Sequence, residues 1–224
     1  MAVAESGFLM HEQLFDRSTM VALKRELDLS SVQRTRAGAR HLLRVPVVAQ
    51  LAAHPLMCAL AARCVGAPPT PFRATLFDKS GANNWLVPWH QDTALPIARR
   101  VEAPAWGPWS LKSGVLHAIA PGSALQMIVA LRVHLDDSTP TNGPLRVLPR
   151  THLHGILNQD AIRRAVETVS PVTCTVAAGG VVAMSPLVLH ASSKARTPEP
   201  RRVLHVEYAS CIRFDSGVEL GVAA

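Results

Sequence analysis

Two spacings of apolar residues divide the chain. As far as about residue 67, hydrophobic side chains return at helical intervals. The stretch "STMVALKRELDL" (18–29) sets Met20, Leu23 and Leu27 along one stripe, with Ser18 as the N-cap, and predicts a helix. "VVAQLAAHPLMCALAARCVG" (47–66) predicts two more, the second opened by Pro55 in its first turn and closed by Gly66. "APPTP" (67–71) is a rigid joint between the two regimes.

Beyond Pro71 the pattern becomes that of strands. Candidates cover 72–79, 85–92, 125–136, 144–149, 172–178, 180–190 and 201–210, with turn clusters at 139–144, 177–180 and 197–200. One helix is expected over 158–169. The insert 105–123 is too rich in Gly and Pro for a regular element. Many short strands without alternating helices predict a mainly β sandwich or jelly roll, with the N-terminal helices packed on one sheet. No repeat or internal boundary is visible. We therefore expect a single domain over 1–224, helical over 1–67 and with its β core over 72–210.

Composition narrows this little. With 224 residues, 48% of them hydrophobic and only 4% aromatic, the core must be built chiefly of Val, Leu, Ala and Ile. No apolar run is long enough to cross a membrane and no secretory leader pattern opens the chain, so a cytoplasmic protein is expected. The four cysteines, Cys58, Cys64, Cys174 and Cys211, lack metal-site spacing and are expected to be reduced. The net charge of +7 comes from scattered arginines. Its one dense stretch, "QRTRAGARHLLR" (33–44), has no interleaved aromatics for base stacking, which argues against nucleic acid. The expected partner is a small molecule, attraction of small anions being one use of the charge, and the chain is expected to be a monomer or homodimer.

The candidate chemistry lies in His-x-Asp/Glu triplets, in which both side chains of a strand point to one face. This composition supplies about one such triplet by chance. The chain has three: His90-Gln-Asp92, His134-Leu-Asp136 and His205-Val-Glu207. His205-Val-Glu207 lies in the last strand with no later histidine, and its polar positions are expected to face outward. In the second, Val129, Leu131, Val133 and Leu135 form an apolar stripe. Arg132, His134 and Asp136 then share a face expected to be wet, with Arg132 and Asp136 as partners. His90 and Asp92 differ because "WLVPW" delivers them into apolar surroundings, where an unpaired charge is costly and a divalent cation would satisfy it. Iron(II) in oxygenases takes two histidines and one carboxylate. His190, at the end of "VVAMSPLVLH", is positioned to complete such a set. A turn then returns the chain at Arg201, which we expect beside His190 on a neighbouring strand, with Ser192 on the same face and Arg202 on the other. A planar guanidinium suits the remote carboxylate of an α-keto acid.

"WHQD" followed about a hundred residues later by "LHASSKARTPEPRR" resembles the phytanoyl-CoA dioxygenase family of iron(II)/2-oxoglutarate-dependent oxygenases. "LRVHLDDSTPTNGPLRVLPRTH" (131–152) resembles that family's Asn-Gly-containing segment, with Pro149-Arg150-Thr151-His152 replacing its Pro-Gly-Ser-His. The likeness covers roughly residues 55–210. It implies a double-stranded β-helix (jelly roll), iron(II) on His90, Asp92 and His190, and 2-oxoglutarate held by Arg201 with Ser192, O2 being the other co-substrate. An asparagine often found between distal histidine and arginine is missing from "ASSKARTPEP". The expected activity is oxidation, chiefly hydroxylation, of a small organic or secondary-metabolite C–H bond, releasing succinate and CO2. Lys79, Trp106, Trp109 and His117 are candidate pocket residues. The alternatives are a cupin-like metal isomerase or hydrolase that does not use 2-oxoglutarate, and a metal-free jelly-roll binding module.

Overall fold

The computed structural model describes residues 3–35, 38–79, 83–112 and 114–222. Its helices begin where polar caps satisfy the first backbone N–H groups. Helix Arg17–Leu29 starts after Asp16, whose carboxylate accepts from Thr19 N at 2.7 Å. Asp16 is therefore the N-cap, and Ser18, expected in that role, lies inside the first turn with its hydroxyl on Asp16. Helices Pro46–Ala52 and Pro55–Val65 follow, the second capped by His54 Nδ1 and ended by Gly66 in the left-handed conformation.

The strands form antiparallel sheets. A seven-stranded sheet runs in the order Phe8–His11, Val181–Met184, Ile128–His134, Arg201–Ala209, Thr70–Lys79, Gly38–Ala39, Arg34–Thr35. A four-stranded sheet runs Val172–Cys174, Leu145–Leu148, Leu189–Ser192, Val87–His90. The architecture is a mainly β jelly roll. The three N-terminal helices cover the outer face of the larger sheet, where Met20, Leu23, Leu27 and Met57 meet Val129, Leu131, Val133 and Leu204. Tyr208 crosses that interface and donates its hydroxyl to Ala52 O at 2.9 Å, so its one polar atom is satisfied.

Three expectations change. The insert 105–123 contains a hairpin, Trp109–Lys112 against Val115–Ile119, extended by Ala94–Pro96 into a third small sheet. A short helix, Gly122–Leu125, follows. The Gly and Pro residues mark its corners, Gly107 and Gly114 both having positive φ. The run 180–190 is two strands, Val181–Met184 in the large sheet and Leu189–Ser192 in the small one, the chain crossing between sheets at Ser185–Val188. His190 and Arg201 consequently lie on different sheets and face each other across the sandwich. They are not strand neighbours.

The polar face of Ile128–His134 is also dry. Arg132 is 7% exposed and His134 0% exposed, because the second sheet covers the face opposite the helices. Nor is Arg132 the partner of Asp136, which pairs with Lys24 and Arg202 on the helix side. His205 and Glu207 are likewise interior, at 4% and 1% exposure, and do not face outward.

Leu131 is wholly buried between sheet and helices, whereas Leu29 is 77% exposed. Leu131→Ala should cost about 2–5 kcal/mol, and Leu29→Ala about 0.5 kcal/mol or less. Urea unfolding of both variants checks this, and comparable losses would contradict the packing described.

Candidate metal centre and its two cavities

His90 and His190 sit opposite each other on paired antiparallel strands, their rings 4.2 Å apart. The strand Val87–His90 ends at the histidine, and Asp92 reaches the same place from the segment beyond it, its backbone N–H donating to Pro186 O at 2.9 Å. One ligand atom from each of His90, Asp92 and His190 lies within 4.8 Å of the others. His90 Nε2 is 3.5 Å from Asp92 Oδ1, and His190 Nε2 is 3.4 Å from Asp92 Oδ2.

The tautomers follow from the backbone. His90 Nδ1 lies 2.8 Å from Pro88 O, and His190 Nδ1 lies 3.0 Å from Val188 O. A carbonyl only accepts, so both Nδ1 atoms carry hydrogen and both neutral rings turn an Nε2 lone pair towards Asp92. Burial alone would raise the Asp92 pKa, but the attraction of His190 and His90 in their protonated forms, which donate Nε2–H to it, holds it well below its ordinary value. Burial likewise opposes charge on His90, but the bond its protonated ring donates to Asp92 raises its pKa. Two nitrogen donors and an ionised carboxylate with no further hydrogen-bond partner among the described residues fit a divalent cation. Gln91 fixes the intervening residue: its amide donates to Gly155 O and Leu187 O and accepts from Leu157 N. Nothing in the residue pattern around Gln91 signals that brace.

An inner cavity of about 80 Å³ opens beside the triad and is also lined by Lys79, Arg132 and Arg201. All three cations are buried. Arg201 Nε and Nη1 have no hydrogen-bond partner among the described residues. Its Nη2 is 3.5 Å from Ser192 Oγ, but that hydroxyl donates to Gly143 O at 2.9 Å and accepts from Lys79 Nζ at 2.6 Å. Ser192, expected from sequence to help hold the co-substrate, lines this cavity and links Lys79 to the Gly143 loop. Burial, reinforced by Arg201 and Arg132, lowers the Lys79 pKa to about 7. Burial and Arg132 lower that of Arg201 to about 9. A cavity ringed by desolvated cations demands an anion.

An outer cavity of about 420 Å³ shares His90 and Asp92 and extends to Arg73, His117, His205 and Glu207. His117, a candidate from sequence, lines it. Trp106 and Trp109 do not: Trp106 is buried against Phe214, and Trp109 packs beneath Arg100. His41 lines it as well.

Between the cavities a polar ladder follows the two-residue period of the strand Arg201–Ala209. Arg201 is paired with Lys79, Val203 with Phe77 and His134, His205 with Thr75 and Arg132, and Glu207 with Arg73 and Ala130. Arg73 grips the Glu207 carboxylate. Burial would raise Glu207, but Arg73 and then His205 bring its pKa down to about 2. Burial, with Arg132 and Arg201, lowers His134 to about 3, so it stays neutral.

A jelly roll that gathers two histidines and a carboxylate beside a cation-lined cavity defines a non-haem iron(II)/2-oxoglutarate oxygenase. The family model for phytanoyl-CoA dioxygenase (PhyH) matches residues 4–203, and the chain belongs to that family. No curated protein sequence matches the chain. Among solved structures it resembles AviO1 from Streptomyces viridochromogenes Tue57, with 22% identity, a TM-score of 0.67 and coverage of 92% of this chain and 91% of that one. EctD from S. alaskensis with 2-oxoglutarate and 5-hydroxyectoine gives 19% identity and a TM-score of 0.71, covering 93% and 74%. The α-ketoglutarate-dependent epimerase SnoN from nogalamycin biosynthesis gives 19% and 0.67, covering 94% and 80%. Identities this low carry the fold alone.

Glu207 generates a pH prediction. A carboxyl whose folded pKa falls from 4.5 to about 2 adds stability above pH 4.5 that is lost as pH falls through about 2. The difference in unfolding free energy between the parent and Glu207→Gln should therefore shrink on acidification, by on the order of 3 kcal/mol. Urea titrations from pH 6 to pH 2 measure it, and a pH-independent difference would refute the pairing.

Proposed function

We propose that His90, Asp92 and His190 hold iron(II), that Arg201 and Lys79 hold the distal carboxylate of 2-oxoglutarate, and that the enzyme hydroxylates a C–H bond of a small organic substrate. The observation that carries this is the convergence of two backbone-fixed Nε2 lone pairs with an ionised carboxylate, beside a cavity lined by three buried cations, one of which has two N–H groups without a partner among the described residues. Iron(II) with 2-oxoglutarate and O2 supplies the oxidising chemistry, with succinate and CO2 as co-products.

The residues of the chain bind, orient and exclude water. Arg201 Nε and Nη1 have no partner among the described residues, and either can join the weakly engaged Nη2 in a bidentate grip on a carboxylate. Lys79 stands beside it, tethered by Ser192 and Ser193 O, and an arriving carboxylate favours its protonated form. Phe77, Trp85, Val87 and Leu145 form apolar walls that strengthen both charge pairs by keeping water out. Arg132 closes the side towards the triad, held over the Phe77 ring and donating to His205 Nδ1 at 3.0 Å. The outer cavity is the space for the substrate, bringing it against His90 and Asp92.

His90→Ala, Asp92→Ala and His190→Ala should each abolish stoichiometric iron(II) binding with the circular dichroism of the fold retained. His134→Ala and His205→Ala should keep the metal. Metal content by mass spectrometry decides between them, and iron retained in the His90 variant would sink the assignment.

Removing one member of a desolvated charge pair typically costs about 2–5 kcal/mol, so Arg201→Ala should weaken 2-oxoglutarate binding about 30- to several-thousand-fold. Arg202→Ala, whose side chain bonds Asp136 on the other face, should change it little. Calorimetric titration of the iron-loaded variants gives the ranking, and the reverse order would remove Arg201 from the co-substrate site.

A further inference from the structure

The outer cavity carries an unbalanced charge. Arg40 and Lys112, from separate segments, line it and are exposed, and neither has a salt-bridge partner among the described residues. Its two carboxylates are engaged elsewhere, Glu207 by Arg73 and Asp92 by the two histidines. The neutral rings sense the excess. Burial lowers the pKa of His41, and Arg44, Arg40 and Arg73 push it the same way. Burial also lowers His117, with Arg73, Lys112 and Arg40 adding to it against a bond to Val115 O.

Two further details specify what enters. His41 adopts a left-handed backbone conformation, φ 59, unusual for a residue with a Cβ, and its buried Nε2 has no hydrogen-bond partner among the described residues. His117 Nδ1 lies 3.0 Å from Val115 O and must donate to it, so its Nε2 presents a lone pair. A lone pair there asks for a hydroxyl.

We propose that the substrate is a small hydroxylated organic anion, a carboxylate or phosphate ester, whose charged group is held by Arg40 and Lys112 while a hydroxyl donates to His117. This rests on the oxygenase function proposed above and assigns its substrate class. The cavity volume of about 420 Å³ suits a molecule of monosaccharide size. Long-range attraction by the positive rim would also speed its capture at low salt.

The test is calorimetric titration of the purified protein with gluconate, glucose 6-phosphate, neutral glucose and cationic glucosamine, all six-carbon polyhydroxylated compounds that differ chiefly in charge. At least one anion should bind at least about tenfold more tightly than glucose, and the advantage should fall as salt rises. In the Arg40→Gln/Lys112→Gln double variant, whose changes are exposed, that advantage should drop to about threefold or less. Equal affinity for glucose, no binding of either anion, or an anion preference that survives the double substitution would overturn the proposal. The last outcome would place the anion in the inner cavity with Arg201. Iron content and 2-oxoglutarate affinity measured on the same samples report separately on the oxygenase reading, so the two can fail independently.

Discussion

Burial of positive charge inside the sandwich is the constraint on which the site depends. The inner face of the large sheet carries Lys79, Arg132 and Arg201 at positions where a sandwich of this size would ordinarily place Val or Leu. Desolvating a cation costs several kcal/mol unless an anion meets it. Arg73 has its anion in Glu207. Among the described residues Arg132 bonds the His205 imidazole and lies over an aromatic face, with Asp92 and Glu207 attracting it only through space, and Arg201 has a weak contact with Ser192. The binding protein is thus short of anions, and a dianionic co-substrate relieves what folding leaves uncompensated. Hydrophobic stability is supplied elsewhere, chiefly by the helices on the outer face and by the cluster of Phe8, Val147, Val182, Met184 and Val188.

Much of this was legible in the sequence, and the parts that were not share one cause. Helical spacing located the helices to within about one residue, and alternation located most strands, because both report which face is buried. Alternation cannot say whether a polar face meets water or a second sheet. The stripe of Arg132, His134 and Asp136 was expected to be wet, and two of its members are among the most buried polar residues of the chain. The same ambiguity misplaced Arg201. Eleven positions after His190 suggested a hairpin, but Leu189–Ser192 and Arg201–Ala209 belong to facing sheets, and the approach is through the sandwich. Gln91, His41 and Arg40 escaped notice because their roles depend on loops that come together only in the fold. The Trp106 and Trp109 expectation failed for the opposite reason: apolar bulk in a loop was read as a lining when it anchors the loop to its own small core.

The three His-x-Asp/Glu triplets show how a repeated pattern acquires different chemistry. In His134-Leu-Asp136 the side chains separate to opposite demands: Asp136 bonds Lys24 and Arg202, and His134 stands neutral between two arginines. In His205-Val-Glu207 the carboxylate is consumed by Arg73. A guanidinium can only donate, so the Arg132 contact makes His205 Nδ1 an acceptor and leaves hydrogen on Nε2, which lies 3.8 Å from Glu207. No lone pair of that ring is free. His90-Gln-Asp92 alone has a histidine whose Nδ1–H is tied to a backbone carbonyl two residues back and a carboxylate bonded by no lysine or arginine.

That backbone tie recurs. His90, His117 and His190 each aim Nδ1 at the carbonyl of residue i−2, through Pro88, Val115 and Val188. The contact is local to a strand end, so it survives whatever the loops do, and it fixes one lone pair per ring in a known direction. Two of those lone pairs converge with Asp92 near a single point, and the third belongs to a ring that lines the adjoining cavity. In the function proposed above, a single conformational device serves both the metal ligands and a substrate contact. Each contact spans only two residues of backbone, so it fixes the ring without help from distant segments, and the charged ladder lies behind it.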